Sequence, residues 1–236
     1  MGDITCCRVT NEGQSVMERI KAILSNHSLA SRVNSEWNQL SEEFEAAYSS
    51  MPIKYMDRKE LSFHSFVKLL GFLCIDLASL NGDIIEIGVW KGKSLAFMQR
   101  LIQSPTKVIG IDPCELDGQR SELAYFHQAI FPECTLIIGY SQLAIEKVLQ
   151  LSRRFKLLHI DGGHASENVW MDFLMYERFI IPGGYIVFDD YVDSKYCPEV
   201  GPTIDRMRDM GMFKNYYDIG SVPNYENSYL LLKSAA

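Results

Sequence analysis

From Asp83 onward the sequence alternates short apolar runs with amphipathic stretches of helical length. That alternation restricts the chain to a mainly parallel sheet covered on both faces by helices. The apolar runs fall at 84–87, 108–111, 135–138, 157–160 and 185–188, and each reads as a strand. The helical stretches fall at about 94–102, 119–130, 142–152, 166–180 and 201–210. Pro182-Gly183-Gly184 is expected to close the 166–180 helix before the fifth strand. Two last runs, 213–219 and 228–232, flank Pro223-Asn224 and predict a β-hairpin that adds an antiparallel strand.

The preceding third has a different period. Val16, Ile20, Ile23 and Leu24, then Leu29, Val33, Trp37, Leu40 and Phe44, recur at helical spacing, with a break near Asn26-His27-Ser28. A more apolar helix is expected over 60–80, carrying Leu61, Phe66, Leu69, Leu70, Leu73 and Leu77 and stopped by Asn81-Gly82. Residues 1–80 are thus expected to form a helical cap and 81–236 the α/β part, with no linker between them. An apolar helical extension on an acidic chain also predicts a homo-oligomer formed through these N-terminal helices.

A net charge of −7 argues against nucleic acid or an anionic membrane surface as the main partner. The longest apolar run, 66–80, is interrupted by Lys68 and Asp76, so no membrane span is expected. The N-terminus lacks the pattern of a secretory signal. Gly2 with Cys6-Cys7 does not satisfy the myristoylation pattern, which wants Ser or Thr where Cys6 stands. Cysteines at 6, 7, 74, 114, 134 and 197 include no C-x-x-C pair, which indicates neither a zinc site nor a disulfide framework. A reducing, cytoplasmic compartment follows as the expectation, with Cys74 a free thiol in an apolar helix.

Acids stand at the carboxyl ends of three strands: Asp112 after the second, Asp161 after the fourth, Asp189 and Asp190 after the fifth. Ligands of open parallel sheets bind just outside those ends. Asp161, Asp189 and Asp190 would repel one another unless a cation sat among them. An all-carboxylate set suits a hard divalent ion, Mg2+ first, with Mn2+ or Ca2+ also acceptable. No His/Cys cluster competes for zinc. The first strand runs into Glu86-Ile87-Gly88-Val89-Trp90-Lys91-Gly92-Lys93-Ser94, a glycine turn that opens a helix N-terminus to an anionic group. Its spacing is G-x-x-x-G rather than the dinucleotide fingerprint, which disfavours a nicotinamide or flavin enzyme. Asp112 is placed to accept two ribose hydroxyls. Gly88 and Gly92 could instead only make a tight turn, with Asp112 capping the next element.

The segment GDIIEIGVWKGKS is similar to the first motif of the macrocin O-methyltransferase-like family, and its E-x-G-x-x-x-G-x-S skeleton is also that of catechol O-methyltransferases. Gly139-Tyr140-Ser141-Gln142 resembles the catechol enzymes' adenine-holding segment, and IDGGH…PGGYIVFDDY resembles the macrocin-type pattern. Over about residues 82–235 the chain therefore resembles the class I, S-adenosylmethionine-dependent, metal-dependent O-methyltransferases. The N-terminal third carries no matching motif.

That resemblance implies a Rossmann-like seven-stranded methyltransferase sheet, order 3-2-1-4-5-7-6 with the last strand antiparallel. It implies methyl transfer to a hydroxyl of a small molecule: a sugar, a catechol or a vicinal-diol natural product. Glu86, Gly88, Gly92 and Ser94 would line the methionine end, Asp112 would hold the ribose, and Ser141 and Gln142 the adenine side. Asp161 would take the cofactor's amino group and, with Asp189 and Asp190, the cation. Alternatively, Asp161 serves only the amine and Asp189 or Asp190 caps the following loop. His164, three residues after Asp161 where the catechol enzymes carry lysine, is the candidate general base, with a helix cap or a surface histidine as the alternative.

His159 reads as a core residue, His64 as a pocket candidate, and His27 and His127 as surface positions. Trp90, Trp170 and Tyr191 either shape a ligand wall or simply pack. Two other classes remain: a nicotinamide-dependent oxidoreductase, which the glycine spacing disfavours, and a non-catalytic cofactor-binding scaffold, which the three acids and His164 disfavour.

Overall fold

The computed structural model describes residues 11–57, 67–102 and 105–234, with side chains described from residue 15. Gly2, Cys6 and Cys7, and the Leu61, His64 and Phe66 positions of the expected 60–80 helix, lie outside the described residues.

Seven strands form one sheet: β1 (Asp83–Ile87), β2 (Val108–Asp112), β3 (Thr135–Ile138), β4 (Phe155–Ile160), β5 (Ile180–Phe188), β6 (Tyr216–Val222) and β7 (Tyr225–Lys233). Their order is β3-β2-β1-β4-β5-β7-β6. β1 to β5 are mutually parallel, β7 runs antiparallel to β5, and β6 antiparallel to β7. This is the expected order. The chain winds outward from β1 to β3 and then restarts at β4 on the other side of β1. The crevice between the ends of β1 and β4 is the switch point at which such sheets take ligands.

Side-chain alternation along the strands separates two cores. Ile85, Ile109, Leu158, Ile186 and Leu231 face a core closed by α6 (Ser141–Leu151), α7 (Ser166–Tyr176) and α8 (Val200–Asp209). Ile84, Val108, Leu157, Tyr185 and Leu230 face the other, closed by α4 (Lys93–Leu101), α5 (Gln119–Ile130) and the N-terminal helices α1 (Asn11–Leu24), α2 (His27–Ser50) and α3 (Lys68–Asp76).

The break near Asn26 is a helix start. Asn26 caps α2, its side-chain oxygen accepting the Ser28 and Leu29 N–H groups at 3.0 and 3.1 Å. The stripe Val33, Trp37, Leu40, Phe44 and Tyr48 of α2 is buried. Trp37 meets Phe97 of α4 edge-on with ring centroids 4.9 Å apart, and Phe44 packs on Phe126 of α5 and on Phe131. At about 1.5–3 kcal/mol per fully buried large apolar side chain, this stripe fastens the helical third to the sheet. The Val33, Trp37, Leu40, Phe44 and Tyr48 stripe is thereby buried in the chain's own core.

The fifth strand begins earlier than expected. α7 ends at Tyr176, a 3₁₀ turn spans Glu177–Phe179, and β5 already starts at Ile180. Pro182-Gly183-Gly184 therefore lies inside β5. The register of β4 against β5 jumps there, from Phe155 opposite Ile180 to Leu157 opposite Tyr185. A bulge tolerates a residue without an N–H. Gly183 has φ 79°, and a Cβ on Gly184 would sit 2.9 Å from the Lys156 carbonyl oxygen. The proline and glycines that looked like a helix stop are the bulge.

Among the described residues no helix is long and apolar enough to cross a membrane. Cys74 is free and buried, as expected, and Cys114, Cys134 and Cys197 are also free.

Candidate active site

A cavity of about 610 Å3 opens at the carboxyl ends of β1, β2, β4 and β5, and Trp37 of α2 contributes to its wall. Its floor is the turn from β1 into α4. Gly88 has φ 86°, and a Cβ there would lie 1.8 Å from the Asp161 carbonyl oxygen, so only glycine fits where the β1 and β4 ends meet. Gly92, also at φ 86°, backs onto the Phe131 ring, which a Cβ would approach to 2.2 Å. Gly88 and Ser94 line the cavity, whereas Gly92 supports the turn from behind.

Asp112 is where the strand pattern put it, but its oxygens are engaged. One accepts the Val89 and Trp90 N–H groups, both at 2.8 Å. The other accepts the Cys114 N–H at 2.7 Å and Gln119 Nε2 at 2.9 Å. A carboxylate offers about four acceptor sites, and here the protein fills them. Asp112 lines the cavity and clamps the glycine turn, a role the sequence did not suggest beside a ribose contact or a cap on the next element.

Glu86 departs from expectation. Strand alternation turns it away from the cavity, whose wall includes Ile87 but not Glu86. It is fully buried, its Oε1 lies 2.8 Å from His159 Nδ1, and its Oε2 has no hydrogen-bond partner. His159 is thus a core residue, as expected. A ligand-capable atom of it also falls within 4.8 Å of the Asp161 and Asp189 oxygens. Burial would lower the His159 pKa, yet the Glu86 hydrogen bond and the surrounding carboxylates raise it.

Ser141 and Gln142, at the start of α6, both line the cavity. Both turn to Asp172 of α7: the Ser141 hydroxyl donates to Asp172 Oδ1, and Gln142 Nε2 lies 3.4 Å from the same atom. Burial pushes the Asp172 carboxyl up to about 6, against the Ser141 hydrogen bond. Asp172 escaped the motif reading. Its signal was an acid on the buried stripe of α7, in helical step with Val169, Phe173 and Tyr176.

At the other end, the β4–β5 register sets Ile160 beside Phe188, so Asp161 and Asp189-Asp190 leave adjacent strands together. All three acids and His164 line the cavity. Burial, reinforced by Asp189 and Asp190, holds the Asp161 carboxyl well above its ordinary range. Burial also pushes Asp189 up to about 6, with Asp190 adding and His159 opposing. Asp190 goes the other way. Burial would raise it, but hydrogen bonds from His164, Cys197 and Asn227 hold it at about 2. Asn227 Nδ2 on β7 donates to Asp189 at 3.0 Å and to Asp190 at 3.2 Å, ordering both carboxylates.

A second space of about 10 Å3 lies among Asp161, His164, Asp189 and Asp190, room for one ion or water. Crowded oxygens that favour retaining protons mark uncompensated negative charge, so the donor set fits a hard divalent cation. His164 does not cap α7, whose N-cap is Ala165 with no side-chain hydrogen bond, and the Ser166 N–H goes to Glu199 at 3.0 Å. Its Nε2 lies 3.2 Å from Asp190 Oδ2, and this contact raises the imidazole pKa despite partial burial.

The sequence pattern offered no His/Cys cluster for zinc, because His164 and Cys197 are brought together only by the fold. The loop after β5 brings the Cys197 thiol to 3.1 Å from the Asp190 oxygen that His164 faces.

On the wall away from the acids, Lys91 Nζ lies 3.6 Å from Glu122 Oε2, both side chains being 1% exposed. Burial, with Lys91 nearby, lowers the Lys93 pKa to about 7. Trp90, at φ 52°, faces the cavity. Trp170 and Tyr191 pack on the α7–α8 core instead.

Residues 85–191 match the family model described as a methyltransferase domain. A protein of Acanthamoeba polyphaga mimivirus is 29% identical over 152 residues, 62% of this chain and 68% of that one. The O-methyltransferase from Bacillus cereus, solved with S-adenosylhomocysteine, superposes with a TM-score of 0.58 at 14% identity, covering 94% of this chain and 97% of that one. MycE methyltransferase from the mycinamycin biosynthetic pathway, solved with Mg and S-adenosylhomocysteine, gives 0.52 at 17% identity, covering 83% of this chain and 54% of that one. The chain thus shares the fold of these methyltransferase structures, with the methyltransferase-domain match confined to residues 85–191, from β1 to just past the end of β5.

Proposed function

We propose that the chain moves a methyl group from S-adenosylmethionine to a hydroxyl of a small molecule, assisted by a divalent cation held by Asp161, Asp189 and Asp190. The observation that carries this reading is the shared cavity. One wall is the open N-terminus of α4 with Ser94, the other a set of carboxylates and a histidine suited to hydroxyl chemistry. The O-methyltransferase named among the structural relatives supports the acceptor class, and the Mg in MycE supports the cation.

In this reading Gly88 lets the methionine end approach the backbone, and the α4 N-terminus with Ser94 receives its carboxylate. Ser141 and Gln142, fixed by Asp172, hold the adenine side. When bound, the cation supplies Lewis acidity that lowers the pKa of a chelated hydroxyl. A sugar, catechol or other vicinal diol is the natural acceptor, because two neighbouring oxygens suit chelation. With the Nε2–H of His164 directed at Asp190, its Nδ1 is left to take the acceptor's proton, and Asp190 steadies the imidazolium that forms. Trp37, Val67 and Trp90, on the cavity lining, help to keep water out.

Calorimetry with S-adenosylmethionine, followed by transfer assays on catechol and sugar diols with and without chelator, tests the proposal. Saturable binding and chelator-sensitive transfer are expected. No binding signal would remove the cofactor assignment, and undiminished transfer after chelation would remove the cation.

A further inference from the structure

We propose that His164, Asp190 and Cys197 form a binding site for one thiophilic divalent cation, Zn2+ or Co2+, that shares Asp190 with the carboxylate site. The His164 Nε2 and Cys197 Sγ atoms lie 3.2 and 3.1 Å from the same Asp190 oxygen. All three donor atoms fall within 4.8 Å of one another. A tetrahedral ion with bonds of about 2.0–2.3 Å holds its ligands roughly 3.3–3.8 Å apart. Small side-chain shifts therefore convert the hydrogen-bonded trio into a ligand set with one open position.

The donors select the ion. Mg2+ and Ca2+ take oxygen and reject sulfur, whereas one thiolate, one imidazole and one carboxylate suit Zn2+ or Co2+. Binding releases the Cys197 proton to solvent, and Asp190 and the thiolate then balance the ion's charge while His164 binds neutral.

The site is built rather than incidental. Asp190 stands at φ 59°, a left-handed conformation uncommon outside glycine. That conformation lets one oxygen meet Asn227 at 3.2 Å while the other faces the thiol and the imidazole. Asn227 is thus an outer partner that orients a ligand. The loop carrying Cys197 is closed by its own hydrogen bonds, the Cys197 N–H to the Asp193 carbonyl at 3.1 Å and the Val200 N–H to the Cys197 carbonyl at 3.2 Å. The 10 Å3 space bounded by His164 and Asp190 lies alongside, and the His164 side chain, 46% exposed, gives an ion access from solvent.

The consequence for catalysis rests on the proposed function. An ion held here occupies the candidate base and one ligand of the hard cation, so Zn2+ is expected to inhibit the transfer that Mg2+ supports.

The decisive test is spectroscopic and needs no methyl transfer, which separates its failure from failure of the transferase reading. Chelator-treated full-length protein is titrated with Co2+. The expected result is a near-ultraviolet thiolate-to-cobalt band with tetrahedral visible absorption, saturating at one equivalent and bleached by Zn2+. Cys197→Ser is expected to abolish the near-ultraviolet band, and a Cys6→Ser/Cys7→Ser double variant to keep it. His164→Gln, a change at a half-exposed side chain, is expected to weaken Co2+ binding at least ~10-fold. A wild-type protein without the band, a band that persists in Cys197→Ser, or unchanged affinity in His164→Gln would each overturn the site.

Discussion

Replacing Asp172 by asparagine is expected to make the protein more stable and its adenine side less well ordered. Asp172 is 2% exposed, yet it carries a carboxyl whose pKa burial pushes from 3.8 to about 6. A carboxyl raised in the folded state favours its protonated form there. Its contribution to stability is complete below the ordinary value of 3.8 and is lost as pH rises through about 6. At about 1.36 kcal/mol per pH unit, the gap is worth about 3 kcal/mol that the wild type forgoes at neutral pH. Asparagine keeps the shape and an oxygen for the Ser141 hydroxyl but never ionises. Urea unfolding of Asp172→Asn should therefore give a free energy above wild type by up to about 3 kcal/mol near pH 7.5, with the excess shrinking as pH falls from about 6 toward 4. The same variant should bind S-adenosylmethionine more weakly, because the charged acceptor that orders Ser141 and Gln142 is gone. A gain that does not change with pH, or a loss at every pH, would refute the account of Asp172 as a buried charge.

Three further outcomes follow from the same structure. Phe44→Ala, at a fully buried position, should cost about 3–5 kcal/mol in chemical unfolding. It should also loosen Phe131 behind Gly92, which weaker cofactor binding in the surviving folded protein would register. Gly88→Ala places a Cβ against the Asp161 carbonyl oxygen at a left-handed φ, so cofactor binding by calorimetry should be lost even under conditions where circular dichroism shows a folded chain. His164→Ala should lower methyl transfer by roughly 10²–10⁴ while thermal unfolding stays near wild type. In the wild type the rate should rise with pH through a value above the ordinary 6.5 of histidine, since Asp190 raises this imidazole and only its neutral form accepts a proton. A rate that is flat across that range, or unaffected by the substitution, would remove His164 from the chemistry.

Local patterns carried the fold. The runs ending at Ile87, Ile111, Ile160 and Phe188 became strands, and Asn26 began α2 where the apolar period broke, whereas the order of the strands came from the family resemblance and not from local pattern. Strand ends are local features, so the gathering of Asp112, Asp161, Asp189 and Asp190 at one sheet edge was legible too. Failures came where two local signals compete. Pro182-Gly183-Gly184 reads equally as a helix stop or a strand bulge, and only pairing with β4 decides between them. Glu86 sits inside a motif that points to the cavity, yet strand alternation gives its side chain to the opposite face and to His159.

What each acid does was decided by tertiary structure. Asp112 is saturated by donors from the β1–α4 turn and the segment after β2. Asp190 is drawn down by His164, Cys197 and Asn227 while its neighbour Asp189 is pushed up. The sequence by itself determined a doubly covered parallel sheet with carboxylates at its carboxyl edge, because periodicity and strand ends are properties of contiguous residues. The tertiary structure alone decided which carboxylates are clamped, which have their pKa pushed up or drawn down, and which faces a thiol. Those properties depend on burial and on partners as far along the chain as Asn227 is from Asp189.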